Sequence, residues 1–230
     1  MRSHLATLAV VALAFCAACL PSKGQRDPEI VTGTIGEQEY FVPRAYLKLP
    51  SRALSEDNIY VLAFYPDFRP AWDRHNAIWR DGKWKYKVRI LASYSATPAN
   101  IEVHARNTAS TLRATQLVGI EYGLAHFTQP EGQASDHRDM WIEHAQTDNG
   151  DVLSYTTCSE KLIERDNPQC TLYMNWNGGF FVRSSFNKSM LKNWSDIKRQ
   201  TIELLESFQS RELAISYINS KPTHKPILEE

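Results

Sequence analysis

The chain carries no net charge, with 26 basic residues against 26 acidic ones. That balance argues against general nucleic-acid binding, which needs a strongly basic field. It has no apolar run long enough for a good membrane span, and no internal repeat or low-complexity tract. The serine-hydrolase elbow Gly-x-Ser-x-Gly, the phosphate loop, the dinucleotide glycine fingerprint and His-Glu-x-x-His are all missing. Their absence lowers the expectation of an enzyme without excluding one, because triads are defined by geometry. Cysteine is scarce too, at four residues in 230. What is plentiful is aromatic: six Trp, ten Tyr and nine Phe in a 43% hydrophobic chain, enough to predict a folded core.

The first residues read as an address. Arg2 and His4 precede the apolar run Leu5–Phe15, and small residues follow at Ala17-Ala18. A basic start, a short apolar centre and a small-residue cut site predict a secretory signal peptide over residues 1–18. Cys16-Ala-Ala-Cys19 falls inside this segment, so it is not a redox or metal motif. It resembles a bacterial lipobox with Cys19 as the acylated residue, departing from the box at Cys16, where Leu or Val is usual. Parity agrees: if Cys16 leaves with the signal and Cys19 takes lipid, Cys158 and Cys170 remain as a matched pair. Soluble periplasmic residence is the alternative. Export makes a disulfide the expected state of Cys158 and Cys170, and two thiols without further Cys or His make a poor zinc site.

Residues 19–28 are polar and contain Pro and Gly, and are expected to be a tether. Residues 29–220 are expected to form one globular domain, and 221–230 a frayed tail. Ile30–Thr34 and Glu39–Val42 predict strands with a turn near Gly36. Asn58–Tyr65 predicts a buried strand. Lys83–Tyr94 alternates with period two, so one long strand is expected, with Trp84, Tyr86, Val88, Ile90, Ala92 and Tyr94 inward. Ile101–Arg106 fits strand or helix. Leu117–Thr128 is apolar with Gly119 and Gly123, which predicts a strand with a bulge. Asp139–Gln146 with Val152–Cys158, and Cys170–Trp176 with Phe180–Phe186, predict hairpins around Asn149-Gly150 and Asn177-Gly178. Met190, Trp194, Ile197, Thr201, Leu205 and Phe208 recur at helical steps, giving a closing helix with one apolar face. The expected class is α+β, a mostly antiparallel β-sheet with a C-terminal helix packed on it.

Candidate functional residues are few. The outward row Lys83, Lys85, Lys87 and Arg89 is either a solvated face or a docking strip for an acidic partner or anionic headgroups. Trp72, Trp79 and Trp84 are core residues or interface anchors. His137 and His144 lack zinc-ligand spacing, and no metal, cofactor or catalytic residue is expected. The loops Gln129–Arg138 and Pro66–Arg80 are the candidate plugs for a partner's cleft.

The order of elements adds a resemblance. A glycine-containing strand enters Tyr40-Phe41-Val42-Pro43-Arg44-Ala45-Tyr46-Leu47. Later come Tyr122-Gly123-Leu124, the Cys158…Cys170 pair, a hairpin, and Trp194-x-x-Ile197 on the closing helix. Together these resemble periplasmic immunity proteins, often lipoproteins, of type VI secretion lipase effectors. The resemblance implies an exported, non-catalytic protein that binds and neutralises a phospholipase-type toxin in the periplasm. It offers no catalytic residue to carry over. A ligand-binding or assembly lipoprotein of the envelope, with an apolar cavity, and an uncharacterised hydrolase, with converging titratable groups, stand as alternatives.

Overall fold

A computed structural model describes residues 28–47, 54–71, 83–130, 138–146, 150–159 and 168–221, with the backbone alone at Lys83 and Trp84. The signal segment, Cys19, Trp72, Trp79, most of the loop Gln129–Arg138 and the tail beyond Lys221 lie outside the described residues.

The chain begins with a hairpin, β1 (Ile30–Ile35) and β2 (Gln38–Pro43). Gly36 turns it at φ +61, where a Cβ would lie 2.8 Å from Tyr94 Cζ. Glycine is required there on both counts. A large sheet follows: β3 (Leu54–Ser55), β4 (Asn58–Phe64), β5 (Arg69–Pro70), β6 (Lys87–Tyr94), β7 (Gln116–Glu121), β8 (Leu124–Thr128), β9 (Arg138–His144), β10 (Val152–Ser159), β11 (Gln169–Trp176) and β12 (Phe180–Asn187). Its order is β3-β4-β6-β12-β11-β10-β9-β8-β7, with β5 on β4. Every pairing is antiparallel. The expected class is the observed one: α+β, mostly antiparallel, with a C-terminal helix on the sheet.

One face of this sheet is the main core. Register carries a row across it through Val61, Ile90, Ser184, Leu172, Thr156, Trp141 and His126. Neighbouring rows add Val88, Ala92, Val182, Phe186, Met174 and the two cysteines. Helix α2 (Trp194–Ser207) covers the row. Met190, Trp194, Ile197, Thr201, Leu205 and Phe208 are all buried, as their spacing predicts. Burying each large apolar side chain contributes roughly 1.5–3 kcal/mol. Two polar contacts sit under the helix, while the buried Thr156 hydroxyl in the same row lacks a partner among the described residues. Ser184 and Thr201 share a hydrogen bond at 3.2 Å. Lys198 Nζ and Ser154 Oγ both donate to Glu143 Oε2 at 2.5 Å.

The opposite face is covered only in part. Helix α1 (Ile101–Leu112) lies across β9, β10 and β11, burying Ala105 over Met140 and Tyr155, with Ala109 and Leu112 beside it. The Asn100 side chain accepts from Val103 N at 3.0 Å, and Arg113 ends the helix at φ 55. These caps decide the strand-or-helix ambiguity of Ile101–Arg106 in favour of helix.

Two expectations need correction, and one helix was not foreseen. Lys83–Tyr94 is not one strand: Lys83–Tyr86 form a 3-10 turn and β6 starts at Lys87. Leu117–Thr128 is not one strand but the hairpin β7–β8, turned by Tyr122 (φ 52) and Gly123 (φ 80). The bulge lies between Leu117 and Gly119. A further helix, α3 (Arg211–Asn219), follows α2, capped by Ser210 Oγ accepting from Leu213 N at 3.2 Å.

Candidate binding surfaces

Cys158 and Cys170 are direct cross-strand partners on β10 and β11 and form a disulfide with Cα atoms 4.0 Å apart. Both are buried in the main core. The crosslink closes a short loop, a constraint worth about 3 kcal/mol in the chain-entropy account. Such bonds persist in oxidising compartments, which agrees with an exported protein.

The cationic row is only partly a row. Lys83 and Lys85 belong to the 3-10 turn, and exposed Lys85 places Nζ 5.0 Å from the Tyr86 ring centroid. Lys87 and Arg89 stand on β6 on the face away from the main core, Arg89 exposed. Sequence reading missed their neighbour Arg183. Its strand β12 pairs with β6 so that Arg183 faces Leu91 and Ser185 faces Arg89. These residues, with Tyr60, Thr171 and Tyr173, line an open groove of about 260 Å³ on the part of this face not covered by α1. Among the described residues no carboxylate lines it. Beside the groove, α1 brings His104 to an aromatic stack with Phe181, Tyr155 and Tyr173 at 4.6, 5.8 and 5.8 Å. His104 Nδ1 and Tyr155 Oη share a hydrogen bond, with Thr108 Oγ1 3.1 Å from the same phenol oxygen. Burial first, then the charge of Arg183, lowers the His104 pKa. Burial likewise pushes the Tyr155 phenol up, so both groups are held neutral.

The other end of the sheet is apolar and bare. Among the described residues β7 pairs with β8 alone. Leu117, Val118 and Ile120 are 58, 59 and 75% exposed, and Tyr122 at the turn is 49% exposed. Edge strands are normally blunted by charge, proline, brevity or a bulge; β7 has a bulge and ends in Glu121, yet it still leaves Leu117, Val118 and Ile120 exposed. It is also held firmly. His126 lies flat on Trp141, rings 4.5 Å apart. Its Nδ1 is 3.3 Å from Glu121 Oε2 and its Nε2 3.7 Å from Asp139 Oδ2. Trp141 Nε1 donates to Glu121 at 2.9 Å, and Trp194 Nε1 donates to the Tyr122 carbonyl at 2.9 Å. The apolar run was visible in the sequence, but its exposure was not, because exposure depends on which strand ends the sheet.

Among the described residues no group of three or more His, Cys, Asp or Glu is placed to hold a metal ion. No helix among them is long and apolar enough to cross a membrane. His144 Nδ1 lies 2.7 Å from the Gly150 carbonyl in the β9–β10 connection. Asp136 and His137 lie outside the described residues. A second open groove, between α2 and α3, includes Glu203 and Glu206 in its lining. One groove thus carries arginines and the other glutamates.

No protein-family model and no curated relative matches the chain. A solved structure does share its fold. Smlt3025, an immunity protein of the Stenotrophomonas maltophilia type IV secretion system, superposes with a TM-score of 0.62 at 16% identity, over 80% of this chain and 94% of its own. The iron-regulated outer membrane lipoprotein FrpD of Neisseria meningitidis matches with a TM-score of 0.48 at 14% identity, over 81% of this chain and 98% of its own.

Proposed function

We propose that this is an exported envelope protein that binds and neutralises a secreted effector in the periplasm, acting by contact and not by turnover. The observation that carries the reading is the bare β7 edge. Exposed apolar residues on a strand with unpaired backbone groups are a liability unless a protein partner covers them. A strand of that partner can add to the edge through main-chain hydrogen bonds, with Leu117, Val118 and Ile120 supplying apolar anchors. The fold shared with Smlt3025 supports the same class of function. The sequence resemblance supplies the finer detail, a phospholipase-type effector of a type VI system, with Cys19 carrying a lipid anchor. In this reading Lys83, Lys85, Lys87 and Arg89 steer encounter through complementary charge. The domain proper is residues 29–220, on a tether from 19 to 28.

The test uses the exported products of the genes flanking this one. Each is expressed in the periplasm with and without the chain, and the purified pairs are measured by calorimetry. Because the sequence resemblance points to type VI and Smlt3025 belongs to a type IV system, effectors of both kinds are included. Rescue of growth together with a stoichiometric complex is expected. Toxicity unaltered by the chain, with no complex formed, would reject the proposal.

A further inference from the structure

Arg89 and Arg183 are far apart in sequence and brought together only by the β6–β12 register. As diagonal neighbours on one face, their α-carbons stand about 7–8 Å apart in ordinary sheet geometry. Like charges so placed do not stabilise a sheet. Arg69, Arg106 and Arg199 each sit against a carboxylate, and Arg44 donates to the Leu47 carbonyl. Arg89 instead donates to the neutral Gln169 Oε1 at 2.5 Å, leaving most of its five donors unused. No acidic side chain among the described residues pairs with either guanidinium, and none lines the groove. The surrounding surface is made of Tyr60, Leu91, Tyr173 and two hydroxyl residues, a mixture of ring faces and donors with no counter-charge among the described residues. The charge also reaches His104, where it adds to the effect of burial.

Building on the effector-binding reading, we propose that this groove receives an extended acidic segment of the protein partner, with carboxylates at alternate residues seated on Arg89 and Arg183. Side chains two residues apart on an extended strand project from the same side, about 6.4–6.8 Å apart, close to the diagonal spacing of the two arginines. A guanidinium grips a carboxylate with two parallel hydrogen bonds, so the fit is directional as well as electrostatic. Adjacent glutamates, pointing to opposite sides of an extended peptide, would engage one arginine and miss the other.

The experiment titrates the isotope-labelled exported chain, followed by NMR at low salt, with acetyl-Thr-Glu-Thr-Glu-Thr-amide and its isomer acetyl-Thr-Glu-Glu-Thr-Thr-amide. Expected are shifts confined to Arg89, Leu91, Tyr173 and Arg183. The alternating peptide should bind at least about fivefold tighter than its isomer, and R89Q/R183Q should lose about tenfold. R89K/R183K should retain part of the affinity, and an unchanged melting curve should show that both variants fold. Peptides that leave this face unperturbed, or bind R89Q/R183Q as well as the native chain, overturn the proposal. So does binding of phosphatidylglycerol vesicles through the two arginines with no response to peptide, which would make the groove a membrane site. A flanking-gene effector that binds R89Q/R183Q and the native chain equally overturns this site and leaves the proposed function standing. Peptide binding as described, with no effector bound anywhere on the chain, upholds the acidic-segment site and rejects the proposed function.

Discussion

The two ends of the sheet expose opposite chemistries. At the β7 end the surface is a bare apolar edge, pinned from behind by Trp141, His126, Glu121 and Trp194. At the β4–β6–β12 end it is an open face with Arg89 and Arg183 among hydroxyls and tyrosines. An apolar edge contributes affinity once water is excluded, whereas charge mainly governs encounter and register. A protein that must capture a partner quickly and hold it benefits from both. The disulfide lies between them, in the middle of the sheet.

Substitutions can separate the two ends. The largest expected effect falls on the staple itself. Replacing both partners, Cys158→Ala with Cys170→Ala, should lower unfolding stability by about 3 kcal/mol in denaturant titrations; an unchanged midpoint would mean the bond contributes nothing to the fold. Next comes the apolar end. Ile120→Glu should weaken an effector complex about thirtyfold, as loss of an interface anchor does, with little change in melting, since the side chain is already in water. If calorimetry shows full affinity, β7 is not the interface. The cationic end should respond in rate. Lys85→Glu with Lys87→Glu should slow association severalfold at low salt and hardly at all at high salt, where exposed charges are screened. Stopped-flow traces insensitive to both substitution and salt would remove these lysines from the encounter.

The smallest effect is a pH dependence near the boundary between α1 and the open face. His104 titrates below its ordinary 6.5 in the folded protein, so on acidification the unfolded chain takes the proton first. The stability His104 contributes is complete above about pH 6.5 and is lost as pH falls through the lower folded value. Melting temperatures should therefore drop less between neutral and mildly acidic pH in His104→Gln than in the native chain. An identical drop in both would show that this imidazole is not coupled to folding.

Much of the fold was legible because its signals are local. Val88, Ile90 and Ala92 alternate, Met190 to Phe208 recurs at helical steps, and Cys158 and Cys170 remain as a pair once the leader is set aside; the structure buries or joins all of them. The misses have physical causes. The turn between β7 and β8 is made by Tyr122 at φ 52, a residue that seldom adopts the left-handed region, instead of the Asn-Gly pair that marks hairpins. Lys83 and Lys85 continue the alternation of β6, yet the chain leaves the sheet before them. α3 is short, and its clearest signal was the Ser210 cap. Arg183 could not be placed beside Arg89, because strand partners separated by about half of the domain are chosen by tertiary packing, which one sequence does not display.

Tyr94 carries a consequence of its own. The ring that comes within 2.8 Å of a Cβ at Gly36 also comes within 2.6 Å of one at Gly179. A single aromatic plate therefore serves as the common wall of two turns from opposite ends of the chain. A side chain added at either glycine would crowd the same ring, so substitutions at the two bends should not be energetically independent.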